Sequence, residues 1–191
     1  MDLMTIIKTR RSIRKYQNKQ IPSKDLEKII EAGLYAPNAG GRQGSIIIGI
    51  NNAKLTEQIG KLNIAKFDRT ALLGSYVSDE QPSIIDDPNI KSGFYGAPSV
   101  CVIFGAENFL YSIPDAFCCA ENMVLMANSI GIASCIVARA EETFDNPDGK
   151  KILSEWEIPE SYIARCFVLL GYIEGNNPSA KKIHKGRFKI V

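Results

Sequence analysis
Residues 114–130 constrain the fold more than any other part of this chain. Pro114 opens the stretch and Gly131 follows it, as a helix start and a helix stop require. Between them lie Ala116, Phe117, Cys118, Cys119, Ala120, Met123, Val124, Leu125, Met126 and Ala127. A helix this apolar around its circumference must be enclosed on nearly every side. A chain of 191 residues rarely encloses such a helix alone. The helix therefore predicts a dimer interface, with the central helix of a monomer as the alternative.

The length favours one domain over residues 1–191. Hydrophobic residues make up 45% and charged residues 23%, as in an ordinary globular protein. A net charge of +2 is too small for a nucleic-acid binder, so basic clusters are local features. No apolar run reaches the roughly 20 residues that span a bilayer. The polar, amphipathic start is unlike a signal peptide, and the expected location is the cytoplasm with no membrane partner. The five cysteines, Cys101, Cys118, Cys119, Cys135 and Cys166, all fall in apolar segments and read as small buried hydrophobes. His184 is the sole histidine. That argues against Cys-His or Ser-His-Asp catalysis and against a histidine-rich metal site.

Asp2 is placed to cap a helix over about 3–10, with Ile6 and Ile7 facing inward. Ser23 is placed to cap a second helix over 24–35, with Leu26, Ile29, Ile30 and Leu34 at helical spacing. Pro37 then forces a loop through Gly44. Strands are expected over 45–50, 99–105, 134–138 and 162–173, and further helices over 53–62 and 146–156. Residues 63–96 are the least regular, broken by Gly74, Pro82, Asp86-Asp87-Pro88, Gly93 and Gly96. Such a segment reads as a functional lid, with disorder as the alternative. Phe67, Tyr76, Phe94 and Tyr95 are aromatic anchors that disordered segments lack.

Two basic clusters stand out. Arg10-Arg11-Ser12-Ile13-Arg14-Lys15-Tyr16 follows the first helix, and Lys181, Lys182, Lys185 and Arg187 lie near the other end. Arginine forks and a serine hydroxyl suit a phosphate, so the two clusters suggest one anion pocket closed where the termini meet. The alternative is a solvated charge run, with Arg14 paired to a surface carboxylate such as Asp25. Neither GxxxxGK[ST] nor a GxGxxG after a strand is present, and no carboxylate pair stands out as an acid–base unit.

The motifs resemble those of the FMN-dependent nitroreductase family. The first basic segment resembles its N-terminal signature, and Ala36-Pro37-Asn38-Ala39-Gly40-Gly41-Arg42-Gln43 its second motif. Ala120-Glu121-Asn122-Met123 with Gly131-Ile132-Ala133-Ser134-Cys135 resembles the dimer-core helix and following strand. Leu170-Gly171-Tyr172 and Lys185-Gly186-Arg187 match the usual ending. The resemblance implies an α+β fold, a central mixed β-sheet flanked by helices, working as a homodimer with FMN at the interface. It implies ping-pong hydride transfer from NADH or NADPH through flavin N5 to a small-molecule acceptor, such as a nitroaromatic or quinone. It assigns Arg10, Arg11 and Ser12 to the FMN phosphate and ribityl side, with Lys185 and Arg187 closing over the phosphate. Arg14 falls at the ribityl or pyrimidine end of the flavin. Pro37, Asn38, Ala39 and Gln43 match a loop reaching the flavin from the other subunit, and Val137 and Ala138 a backbone segment along the ring.

Three departures bear on loop rigidity and pocket shape. Gly44-Ser45 stands for the usual Pro-Trp, Gly41 for a common Asn, and Arg139 lies near a position that is often glycine. A flavin already carries redox chemistry, so the missing acid–base set is expected. Two other functions compete with the enzyme: a flavin store or sensor with little turnover, and a nucleic-acid module built on residues 10–15. The low net charge opposes the second.

Overall fold
The computed structural model describes residues 2–68, 70 and 75–191, so the expected break at Gly74 lies outside the described residues. In chain order the elements are α1 (Leu3–Thr9), α2 (Ser23–Leu34), β1 (Ile46–Ile50), α3 (Ala53–Ala65), β2 (Ser99–Ala106), α4 (Ser112–Ser129), β3 (Ala133–Val137), α5 (Pro147–Glu155) and β4 (Tyr162–Gly171). Single 3-10 turns occupy Ala39–Gly41 and Glu141–Phe144.

Local chemistry sets most of these boundaries. Asp2 caps α1, its carboxylate accepting from the Thr5 amide at 3.1 Å. Asn52 caps α3 and Asn146 caps α5 in the same manner. Ser23 does not cap α2 as expected. It is the first helical residue, and Pro22 holds the cap position without a side-chain bond. Helix α3 runs past its expected end at Leu62, because Asn63 turns inward and stays buried. Helix α4 begins at Ser112, before Pro114. A proline in the first turn forfeits no helical bond, since those amides have no partner in the helix. Gly131, at φ 77°, takes the left-handed turn that ends it, and the Ile132 amide bonds back to the Ala127 carbonyl at 2.9 Å.

The strands lie in the order β1-β2-β4-β3, and every neighbouring pair is antiparallel. Among the described residues, the parallel pairing that makes the sheet mixed is one bridge, Ser12 to Ser134. Strands β2 and β4 are buried on both faces, which is why they read as continuous apolar runs. Their alternate residues divide the core. Val102, Phe104, Phe167 and Leu169 face Phe94, Phe144 and Ile59 of α3. Cys101, Ile103, Cys166 and Val168 face α2 and α4.

Only one face of α4 is enclosed within the chain, through Ala116, Ala120, Met123, Val124 and Ala127. Phe117, Cys118, Leu125 and Met126 are half-buried, and Ile113 stays 47% exposed. Ile7 does not face inward as expected. It is exposed with Leu3 and Met4 on α1, while Ile6 is half-buried. Helix α1 is tied to α4 by Asn128, whose amide donates to the Ile6 carbonyl and the Thr9 hydroxyl at 3.0 Å each.

Candidate functional site
The basic segment after α1 is stitched to the sheet. The Ile13 amide donates to the Ser134 carbonyl, and the Gln17 amide to the Tyr172 carbonyl, each at 2.9 Å. Ile13 and Tyr16 point into the core. Arg10, Arg11, Ser12 and Arg14 then line a cavity of about 260 Å³. Its other walls are Val77, Ser78 and Gln81, together with Pro178, Ser179 and Lys181 from the far end of the chain. The two basic clusters thus meet as expected, through Lys181. Lys185 and Arg187 are exposed and do not line this cavity.

The cations differ in what they hold. Arg11 spends its donors on the carbonyls of Pro178 (3.0 Å), Lys8 (2.8 Å) and Arg10 (2.7 Å), which clamps the tail to the basic segment. The Arg10 guanidinium has no hydrogen-bond or ion-pair partner among the described residues. Lys181 donates to the Val77 carbonyl at 2.7 Å. Arg14 is held by Gln81, whose side-chain oxygen accepts from the Arg14 amide and whose carbonyl accepts from Nη1 at 3.2 Å. Asp25, the alternative partner for Arg14, pairs with Lys28 instead at 3.1 Å.

The segment that carries Gln81 is ordered around Asp86. Its carboxylate accepts from the amides of Val77 (2.8 Å), Ser83 (2.8 Å) and Ser78 (3.4 Å). Burial alone would raise this carboxyl, but the Ser83 and Val77 amides hold it below the ordinary carboxylate value.

A second cavity, of about 240 Å³, shares Arg14 and Val77 with the first. Its walls are largely apolar, among them Phe67, Ile84, Tyr95, Cys135, Val137 and Ala138. Tyr95 packs 5.8 Å from the Arg14 guanidinium. It also adopts φ 55°, an uncommon conformation for an aromatic residue and one that gathers at functional sites. Burial pushes its hydroxyl above the usual tyrosine value. The same cause lifts the Cys101 and Cys166 thiols to about 12, as befits inert core residues. No group of histidine, cysteine and carboxylate side chains that could hold a metal occurs among the described residues.

The loop after α2 lies elsewhere. The Ala39 amide donates to buried Asp115 of α4 at 3.0 Å, and the Gln43 amide to Asn38 at 2.8 Å. Asn38 and Gln43 line a separate cavity of about 370 Å³ beside Tyr35 and Cys119. Pro37, Asn38, Ala39 and Gln43 touch neither of the first two cavities.

Sequence reasoning missed Val77, Ser78, Gln81 and the side chain of Tyr95 as lining residues. Tyr95 carried a signal, as an aromatic anchor beside Gly96. Gln81 carried none. No helix among the described residues is long and apolar enough to cross a membrane.

The model of the Nitroreductase family matches residues 7–172. A protein of Methanothermobacter thermautotrophicus, provisionally named NADH dehydrogenase/NAD(P)H nitroreductase, is 27% identical over 184 residues, covering 96% of this chain and 83% of the relative. A nitroreductase of Bacteroides fragilis, crystallised with bound FMN, superposes with a TM-score of 0.81 at 29% identity, over 100% of this chain and 99% of that one. A Desulfitobacterium hafniense nitroreductase shares the fold, with a TM-score of 0.79 at 23% identity over 100% and 99% of the two chains. With the match running from the basic segment through the end of β4, the chain belongs to the nitroreductase family.

Proposed function
We propose that this protein is an FMN-dependent NAD(P)H oxidoreductase that reduces a nitroaromatic, a quinone or a similar acceptor. The observation that carries this reading is the joined pair of cavities. One is cationic and holds Arg10, whose guanidinium is unpaired among the described residues, the other is largely apolar, and Arg14 stands between them. That donor set fits a phosphate attached to a flat heteroaromatic ring. Arg10, Ser12 and Lys181 would hold the phosphate, and Val137 and Ala138 would run along the ring. Arg14, fixed by Gln81, puts a positive charge where the two cavities join. Arg11 keeps the tail in place, and Lys181 is the tail cation that reaches the phosphate end, since Lys185 and Arg187 lie outside the cavity. When bound there, FMN would supply the two-electron chemistry, hydride acceptance from NADH or NADPH and electron delivery to the acceptor.

The reading includes a homodimer. Leu3, Met4 and Ile7 of α1, beside the C-terminal end of α4, and Ile113 at its N-terminal end are apolar and exposed, and a second copy would cover them. The loop carrying Pro37, Asn38, Ala39 and Gln43 would then serve the partner's flavin. The names of the relatives and the FMN of the Bacteroides fragilis protein support the same reading.

The test is the absorption spectrum of the purified protein, followed by NADH and NADPH oxidation with a quinone. A flavin spectrum, quinone-dependent turnover and parallel initial-rate lines are expected, since reductant and acceptor use one cavity in turn. A colourless protein that takes up no FMN overturns the reading. Bound FMN without turnover identifies a flavin store.

A further inference from the structure
Tyr95 is fixed by the turn that carries it. Phe94 before it is fully buried and packs on Phe167, with ring centres 4.7 Å apart. The Tyr95 amide donates to the Ser92 carbonyl at 3.2 Å, and the Ala97 amide to the Phe94 carbonyl at 2.9 Å. These contacts hold Tyr95 at φ 55° and bring its side chain to the wall of the apolar cavity. A tyrosine crowds its own backbone in that conformation, which persists only where the surroundings impose it.

The phenol oxygen lies among donors. Burial raises the hydroxyl above its ordinary value, and the Arg14 guanidinium and the Ile84 amide, both donors to the oxygen, draw it part of the way back. The guanidinium sits 5.8 Å from the centre of the ring. The nearby Cys135 thiol is directed to the Ile136 carbonyl at 3.6 Å. Tyr16 shows the usual arrangement of a buried phenol, donating to the Ile13 carbonyl at 2.6 Å. Tyr95 has no such acceptor among the described residues. A tyrosine hydroxyl that only accepts keeps its single proton for something else. That proton is available where Tyr95 meets the apolar cavity, and Tyr95 is absent from the walls of the cationic one.

We infer that Tyr95 is a cofactor-binding residue, donating its hydroxyl to the polar edge of the flavin ring beside Arg14. The inference rests on the oxidoreductase reading above. Arg14 supplies a charge at the junction of the cavities and Tyr95 a neutral donor, so the two would hold one edge of the ring by different means.

The test titrates flavin-stripped protein with FMN and with riboflavin, which share the ring and differ in the phosphate. Tyr95→Phe deletes the hydroxyl alone. Loss of one neutral hydrogen bond should weaken both ligands about fivefold. The melting temperature of the apoprotein should stay at the wild-type value, and the same loss should persist when Arg14→Gln is added. Arg10→Ala, the control for the phosphate, should weaken FMN alone. Unchanged FMN affinity in Tyr95→Phe overturns the inference. So does a loss that vanishes in the Arg14→Gln background, which would make the hydroxyl a support for Arg14. A loss seen with FMN and not with riboflavin overturns it too, by assigning the hydroxyl to the phosphate end. A wild type that takes up no FMN overturns the oxidoreductase reading and the inference with it, whereas wild-type binding that Tyr95→Phe leaves intact overturns the inference alone.

Discussion

Arg10 and Arg11 are neighbours with the same side chain and different work. Arg11 donates to three backbone carbonyls, one of them in the tail, whereas the Arg10 fork has no partner among the described residues. A charge-assisted hydrogen bond contributes about 1.5–3 kcal/mol, so losing one weakens binding by roughly ten- to a hundredfold. Arg10→Ala should therefore weaken FMN binding by about that factor without moving the melting temperature of the apoprotein. Arg11→Ala should lower that temperature and expose the tail to protease. Fluorescence titration and thermal melts separate the two, and equal effects from both variants would overturn the division. In the oxidoreductase reading, Arg14 would tune the chemistry rather than the grip. A fixed cation near the reduced, anionic flavin favours the reduced state. Arg14→Gln should lower the two-electron midpoint potential of bound FMN by about 30 mV, or roughly 1.4 kcal/mol. If potentiometry finds the midpoint unchanged while stability drops, Arg14 is a structural residue held by Gln81.

At the scale of elements, periodicity and punctuation made the framework legible. Gly131 marked the end of α4, and the apolar runs of β2 and β4 marked strands buried on both faces. What escaped depended on contacts distant in sequence. Asn63 extends α3 because Arg139 and Thr143 wait for its amide. Gln81 becomes a wall of the site because it bonds Arg14, and nothing near it in sequence announces that bond. Residues 75–87 look irregular because one carboxylate, that of Asp86, replaces a regular ladder. Its lowered folded-state value fixes the sign of a pH effect. The stabilisation is complete above the unfolded value of about 3.9 and is lost as pH falls through the lower folded value. Amide exchange at Val77 and Ser83 should accelerate in that acid range while the amides of β2 stay protected. Asp86→Ala should produce the same local opening at neutral pH. Uniform loss of protection across the chain would show that Asp86 supports the whole fold rather than this segment.

The whole molecule brings its ends together at the cationic cavity and leaves part of its apolar surface, on α1 and α4, to water. The motif that sequence resemblance assigns to the flavin, Pro37 to Gln43, sits on a separate cavity, so one chain by itself does not assemble every expected site residue. The helix that first suggested a dimer also shows where the dimer should be tested. Met123 is fully buried among the chain's own residues, its side chain lying against Gly33 of α2. Met123→Glu should therefore destroy the fold and report nothing about association. Ile7 is 44% exposed on α1, and a charge there leaves the monomer's core untouched. Burying an unpaired carboxylate at an interface costs several kcal/mol. Ile7→Glu should keep the secondary structure of the wild type, shift light scattering from dimer to monomer and release FMN on dilution. If the wild type itself scatters as a flavin-loaded monomer, the apolar surface has another purpose and the flavin needs no second copy.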